Sequence, residues 1–155
     1  MARVIYLIRH LNPAALHGAR LALEAATVFS SPLLRARRTA EIFFPHREIE
    51  FLPELTEVSP GEWEGLAWQE IEARWPELAR EKLRDWRGVN APGAEAWVDF
   101  EARVATAWQQ ILAAPSPCAV VAHAGVNSVL SQLATGRDAL QFSQQYGEVI
   151  PLEIV

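Results

Sequence analysis

The chain has 155 residues, 50% of them hydrophobic, with 19 acidic against 14 basic side chains and a formal net charge of −5. That length fits one domain, residues 1–155, on a prior of roughly 150 residues per domain, and a chain of this size buries about two-thirds of its unfolded surface without help from a disulfide or structural metal. The acidic balance argues against a general affinity for nucleic acid or anionic membranes, and the single cysteine, Cys118, leaves neither an intramolecular disulfide nor a Cys/His zinc spacing. A reducing, cytoplasmic setting is expected. Arg3 and Arg9 bracket only a strand-length apolar run, so no leader pattern opens the chain, and no stretch approaches the roughly 18 apolar residues of a membrane span.

In chain order, residues 3–8 read as a buried strand and the Ala/Leu-rich stretch from Pro13 to Ala26 as a short helix. Thr27 to Phe29 is a second strand. Ser30-Ser31-Pro32 supplies helix-start chemistry for a helix from Leu33 to Phe44, which Pro45 stops. A third strand is expected over Glu48 to Leu52, then a long loop from Pro53 to Gly65, then a helix from Leu66 to about Arg87 interrupted at Pro76. Gly88 to Gly93 is a turn. From Ala94 to Ala113 the apolar positions Trp97, Phe100, Val104, Trp108 and Ile111 recur at three- and four-residue steps, the mark of a long amphipathic helix. A strand over 118–122, a helix from Gly125 to Leu133 and a strand over 149–155 complete the chain. Alternating strands and helices imply an α/β fold, a mostly parallel central sheet with helices on both faces.

The chain has only four histidines, and two of them, His10 and His123, end strand-like apolar runs. In an open α/β sheet ligands bind outside the carboxyl ends of the strands, so neighbouring strands would bring both imidazoles into one crevice. Three arginines, Arg35, Arg37 and Arg38, crowd the start of the helix after Ser31-Pro32. A local anion site can therefore coexist with an acidic surface.

The segments Leu7-Ile8-Arg9-His10, Ser30-Ser31-Pro32-Leu33-Leu34-Arg35, Leu55-Thr56-Glu57, Gly61-Glu62-Trp63-Glu64-Gly65, Pro92-Gly93-Ala94-Glu95 and Val121-Ala122-His123-Ala124-Gly125 resemble, in this order, the blocks of the histidine phosphatase superfamily, the phosphoglycerate-mutase-like proteins. The resemblance implies a three-layer fold of that type and a role for each matching residue. His10 matches the nucleophile, whose ring nitrogen takes up the phosphoryl group, although a histidine ending a strand can also serve only as a cap. Arg9 and Arg35 match the phosphate-binding arginines, whose planar guanidinium can hold two phosphate oxygens. His123 matches the second histidine of the site, which if protonated adds positive charge toward the equatorial oxygens; the helix opened by Ala124-Gly125 adds backbone N–H groups that favour an anion. Glu57 matches the general acid that protonates the leaving alkoxide, with Glu64 the competing choice. Asn12, Trp63 and Glu95 are expected near the substrate, and Trp68 and Trp97 fall close to the same segments, though tryptophan at helical spacing is more often core. Arg37, Arg38, His17 and His46 are expected on the surface.

Two departures set the alternatives. The position after the nucleophile, usually glycine in the family, is Leu11, and a leucine driven to positive φ is strained by about 1–2 kcal/mol. The segment between His10 and Ser30 is also shorter than in typical members and lacks their sugar-gripping residues. The leading expectation is a metal-independent, cofactor-free phosphomonoesterase that works through a phosphohistidine on a small phosphorylated metabolite. The alternative is a weakened or silent member that binds a phosphorylated ligand or protein partner, and a phosphoglycerate-type mutase ranks behind both. Oligomeric state is left open.

Overall fold

The computed structural model describes residues 2–155, which form two compact units, one running to Glu57 and resuming from Arg103 to Val155, the other Val58–Ala102. The first unit is built on a five-stranded sheet: β1 (Arg3–Arg9), β2 (Thr27–Ser30), β3 (Glu50–Phe51), β4 (Cys118–Ala122) and β5 (Val149–Ile154), in the order β3-β2-β4-β1-β5. All neighbours are parallel except β5, which runs antiparallel to β1. Each of the five residues of β4 is buried, so both faces of the sheet are covered, as a continuous apolar run in a parallel sheet requires.

On one face, Ala36, Ala40 and Phe43 of helix α1 (Leu34–Phe43) pack with Ile8, Val28, Ala119 and Val121. The side chains of alternate residues Ile5, Leu7, Phe29 and Val120 point to the other face and are equally buried. Helix α4 (Trp97–Ala113) buries Val104, Trp108 and Ile111, and helix α5 (Ala124–Thr135) buries Val126, Val129 and Leu130. The three- and four-residue spacing that identified α4 is thus its buried stripe.

The helix expected from Pro13 to Ala26 is not formed. Only a 3-10 turn over Pro13–Ala15 appears, capped by the Asn12 side-chain oxygen, which accepts from the Ala14 N–H at 3.0 Å. Gly18, at φ 76°, ends any helical path, and beyond it Ala19, Leu21, Leu23 and Ala25, every second residue, pack on the α1 face of the core. The segment has no regular secondary structure, and its burial at every second residue overrides the helix propensity of alanine and leucine.

In the second unit the long helical stretch is split at Pro76 into α2 (Trp68–Arg74) and α3 (Pro76–Arg84). Proline at the first position of α3 needs no N–H donor there and forbids α2 to run through. Trp63, Ile71, Ala79 and Ala91 form the small core of this unit. Gly61, at φ 59°, lies so close to the backbone of Pro92, Gly93 and Ala94 that a Cβ has no room, which joins the Gly-Glu-Trp-Glu-Gly and Pro-Gly-Ala-Glu segments. The Glu62 N–H donates to the Pro92 carbonyl at 2.9 Å, and the Glu95 N–H to the Ser59 carbonyl at 3.1 Å.

Among the described residues no helix is long and apolar enough to cross a membrane, and no group of three or more His, Cys, Asp or Glu side chains could hold a metal ion.

Candidate functional site

Parallel pairing aligns the carboxyl ends of three adjacent strands. Arg9 lies opposite Ala122 and Ser30 opposite Val121, so the next residues of each strand, His10, His123 and Ser31, emerge at one edge. The ladder runs one step further, with the His10 N–H donating to the Ala122 carbonyl at 3.0 Å and the Ser31 N–H to the Val121 carbonyl at 2.9 Å. The two imidazole rings meet edge to face with centroids 5.2 Å apart, and both are buried.

Their hydrogen bonds constrain the two rings differently. His10 Nδ1 lies 2.8 Å from the Leu11 carbonyl oxygen. A carbonyl only accepts, so Nδ1 carries the proton and Nε2 keeps its lone pair. His123 Nε2 lies 2.8 Å from Ser31 Oγ, which also accepts from the Leu33 N–H at 3.3 Å. A hydroxyl both donates and accepts, so this bond suits either tautomer of His123, whose buried Nδ1 has no partner. An orphaned buried polar atom costs roughly 1–3 kcal/mol, and with the proton on Nδ1 an anionic oxygen would remove that cost.

Positive charge surrounds both rings. Burial first, then the charges of Arg35, His10, Arg103 and Arg9, push the pKa of His123 down to about 3. Burial likewise lowers His10, aided by Arg35 and Arg9 and opposed by the Leu11 carbonyl. His123 is therefore neutral near pH 7, and the positive charge beside it is that of the arginines. In the unfolded chain His123 would bind a proton near pH 6.5 and in the folded chain only near 3, so stability falls as pH drops through that window. Between about pH 6.5 and 4 urea unfolding should lose about 3 kcal/mol more in the native protein than in His123→Asn. Parallel pH profiles for the two proteins would contradict the burial of a neutral imidazole.

Arg9 donates to the Gln144 carbonyl at 2.6 Å, and its guanidinium lies 4.0 Å from the Tyr146 ring centroid. Its buried Nε has no partner. Arg35 sits in the first turn of α1, and its carbonyl accepts from the Thr39 hydroxyl at 2.8 Å. The same hydroxyl oxygen accepts from the Leu11 N–H at 2.9 Å, so one buried threonine ties the residue after His10 to the helix that carries Arg35. Leu11 itself is not strained: among the described residues the one non-glycine with positive φ is His46. The leucine side chain packs on the core beside Gly147, where a Cβ would meet Leu11 Cδ2 at 2.9 Å. The strain expected at Leu11 is absent because the backbone there never enters the left-handed region.

Glu57 is brought to the same edge by α5. Its carboxylate accepts from the Gly125 N–H at 3.1 Å, in the first turn of the helix that follows His123. A Cβ on Gly125 would collide with that carboxylate, so glycine is what permits the approach. The N-terminus of α5 is expected to favour a bound anion; at Gly125 the negative group is Glu57 itself. Behind it, Arg103 donates to the carbonyls of Glu54 at 2.8 Å, Thr56 at 2.5 Å and Glu57 at 3.2 Å, fixing the backbone of this loop.

Asn12 is exposed and its side-chain oxygen is used as the turn cap. Trp63 and Glu95 line one cavity of about 260 Å³ lying wholly in the second unit, with Trp68, Trp86 and Trp97 among its other walls. Trp63 also belongs to that unit's core, with Ile71, Ala79 and Ala91. Glu64 is exposed in the same unit, and His17, His46, Arg37 and Arg38 are exposed in the first. Ser31, Thr39, Arg103, Gln144 and Tyr146 are site residues that the sequence presents only as a cap or as ordinary helix and loop positions.

The sequence profile of the Histidine phosphatase superfamily (branch 1) matches residues 11–154. The chain belongs to the histidine phosphatase superfamily. The matched segment begins directly after His10, so the place of Arg9 and His10 in a superfamily site rests on the geometry above. A bifunctional protein of Mycobacterium tuberculosis, Rv2228c, is 32% identical over 116 residues, which cover 74% of this chain and 32% of that protein, so the match spans about a third of the curated relative's length. Among solved structures, the α-ribazole phosphatase of Shigella flexneri superposes with a TM-score of 0.81 at 22% identity, covering 96% of this chain and 89% of that one. The mycobacterial glucosyl-3-phosphoglycerate phosphatase Rv2419c gives 0.80 at 21% identity over 99% and 91%. TTHB049 of Thermus thermophilus gives 0.68 at 27% identity over 96% and 91%. The three-layer phosphoglycerate-mutase-like fold expected from the sequence is the fold of this chain.

Proposed function

We propose that the chain is a metal-independent phosphomonoesterase in which His10 is the nucleophile, Arg9 and Arg35 bind the phosphoryl group, His123 donates a hydrogen bond to it, and Glu57 is the proton donor. The observation that carries this reading is the tautomer of His10: its Nδ1–H is committed to the Leu11 carbonyl, which leaves the Nε2 lone pair among the charges of Arg9 and Arg35. In the first step Nε2 forms a bond to phosphorus as the ester P–O bond breaks, and the leaving alkoxide takes the proton of the Glu57 carboxylic acid. In the second step the Glu57 carboxylate takes a proton from water as its oxygen attacks phosphorus, and the N–P bond breaks to return neutral His10 and inorganic phosphate. The arginines supply the positive charge that a divalent ion supplies elsewhere.

The substrate class is a small phosphorylated metabolite. The names of two similar structures, an α-ribazole phosphatase and a glucosyl-3-phosphoglycerate phosphatase, support that class without choosing within it. For Trp63 and Glu95 a substrate contact is part of the proposal, supported by their sharing the walls of one cavity. Two departures motivate a silent relative, Leu11 and the short segment between His10 and Ser30, and the unstrained backbone at Leu11 weakens the first of them. Steady hydrolysis of 4-nitrophenyl phosphate that persists in excess chelator tests the reading. Restoration of a chelator-inactivated protein by magnesium alone would overturn it, and saturable binding of inorganic phosphate without turnover would assign the chain to the binding class.

A further inference from the structure

The residues between α5 and β5 form a fixed shelf along the end of β1. The Gln144 side-chain amide donates to the carbonyls of Leu7 and Glu148, both at 2.9 Å, and its oxygen accepts from the Asn127 amide at 2.9 Å. The Gly147 N–H donates to the Arg9 carbonyl at 3.0 Å, and the Arg9 N–H to the Glu148 carbonyl at 3.2 Å. Between these anchors stands Tyr146, held by its neighbours yet 50% exposed. Its ring centroid is 5.4 Å from that of His10, and the Arg9 guanidinium lies against it. A large ring fixed beside a nucleophile and still half open to solvent is placed to cover whatever is attached to the phosphoryl group.

We propose that Tyr146 is the specificity-determining residue of this site: the open part of its ring is the surface on which the organic group of the ester packs, and it selects phosphomonoesters bearing an aromatic ring over those bearing a small aliphatic group. The proposal rests on the phosphomonoesterase reading above and adds a substrate class to it. A competing role is built into the same geometry, because a ring under a guanidinium also steadies Arg9. The two roles separate by probe. Steadying Arg9 acts on the phosphoryl group and touches every ligand alike, whereas packing acts only on esters with a ring to pack.

The test compares 2-phenylethyl phosphate with propyl phosphate, whose alkoxide leaving groups are chemically alike, and uses inorganic phosphate as the reference ligand. Preference is read as the ratio of kcat/KM values and, independently of turnover, as the ratio of Kd values by calorimetry. The native protein should favour the phenylethyl ester by about ten-fold; Tyr146→Ala and Tyr146→Leu should lose most of that ratio, and Tyr146→Phe should keep it. Inorganic phosphate, which has no ring to pack, reports the steadying of Arg9 alone, and any weakening of its binding in the alanine and leucine variants should be shared by the propyl ester and leave the loss of the ester ratio over and above it. An unchanged ester ratio in the alanine and leucine variants would overturn the proposal, as would an equal loss for both esters and inorganic phosphate, which would make Tyr146 a positioning residue for Arg9. Loss of turnover in every protein with the Kd ratios behaving as expected would remove the phosphatase reading and leave the selective ring in place.

Discussion

His10→Ala should abolish turnover, with a fall on the order of 10⁴-fold or more, and should leave inorganic phosphate binding within a few-fold of the native protein. The two halves follow from different groups. In the proposed mechanism binding rests on Arg9 and Arg35, and neither depends on the His10 ring for its place: Arg9 is tethered by the Gln144 carbonyl, and Arg35 is in a helix tied down by Thr39. The proposed chemistry rests on the Nε2 lone pair, which alanine lacks. Rapid quenching into alkaline detergent after exposure to labelled substrate should trap phosphate on the native protein and none on the variant. Label retained on His10→Ala, or undiminished activity, would sink the mechanism. His123 is not a ready substitute, since its Nε2 is engaged by Ser31 and its Nδ1 is buried. The lowered pKa of His10 keeps its lone pair available below pH 6.5, so the acid limb of activity should lie below that value.

What is legible in the sequence divides by the range of the interaction that makes it. Arg9, His10, Arg35, Glu57 and His123 stand in short blocks whose residue types and order survive without any structure. Their partners do not. Ser31 looks like a helix cap but is not one: its hydroxyl accepts from the Leu33 N–H in the turn before α1, where Leu33 is the cap residue, and its second bond reaches His123, 92 residues away. Arg103 works on three backbone carbonyls of a loop 46 to 49 residues earlier, and a carbonyl leaves no mark in a sequence. One signal is readable there, an arginine directly before the buried Val104 on the apolar face of α4. Elements follow the same logic. The buried run of β4 lies where it is expected because its signal is local and dense, whereas composition from Pro13 to Ala26 hides a two-residue period in Ala19, Leu21, Leu23 and Ala25. The tautomer of His10, on which the proposed nucleophile rests, is invisible in the sequence, because it depends on which atom of another residue lies 2.8 Å from the ring.

Glu57→Gln separates proton donation from positioning more cleanly than most carboxylate variants can. The carboxylate accepts a hydrogen bond from the Gly125 N–H, and a glutamine side-chain oxygen can accept the same bond, so the loop keeps its anchor at α5 while its acidic proton is lost. An alkyl phosphate leaves as a basic alkoxide and needs that proton; nitrophenolate is stable without it. Loss of general acid catalysis should therefore cost about 10²–10⁴-fold on an alkyl ester and much less on 4-nitrophenyl phosphate. Gly125→Ala approaches the same group from the other side: the carboxylate keeps its acidity but is driven from its place by the new Cβ, and the loss should again be larger for the alkyl ester. Equal losses on the two substrates in Glu57→Gln would make Glu57 a positioning residue and turn attention to Glu64. Agreement between the two variants, one lacking the proton and the other lacking the position, would fix Glu57 as the group that delivers it.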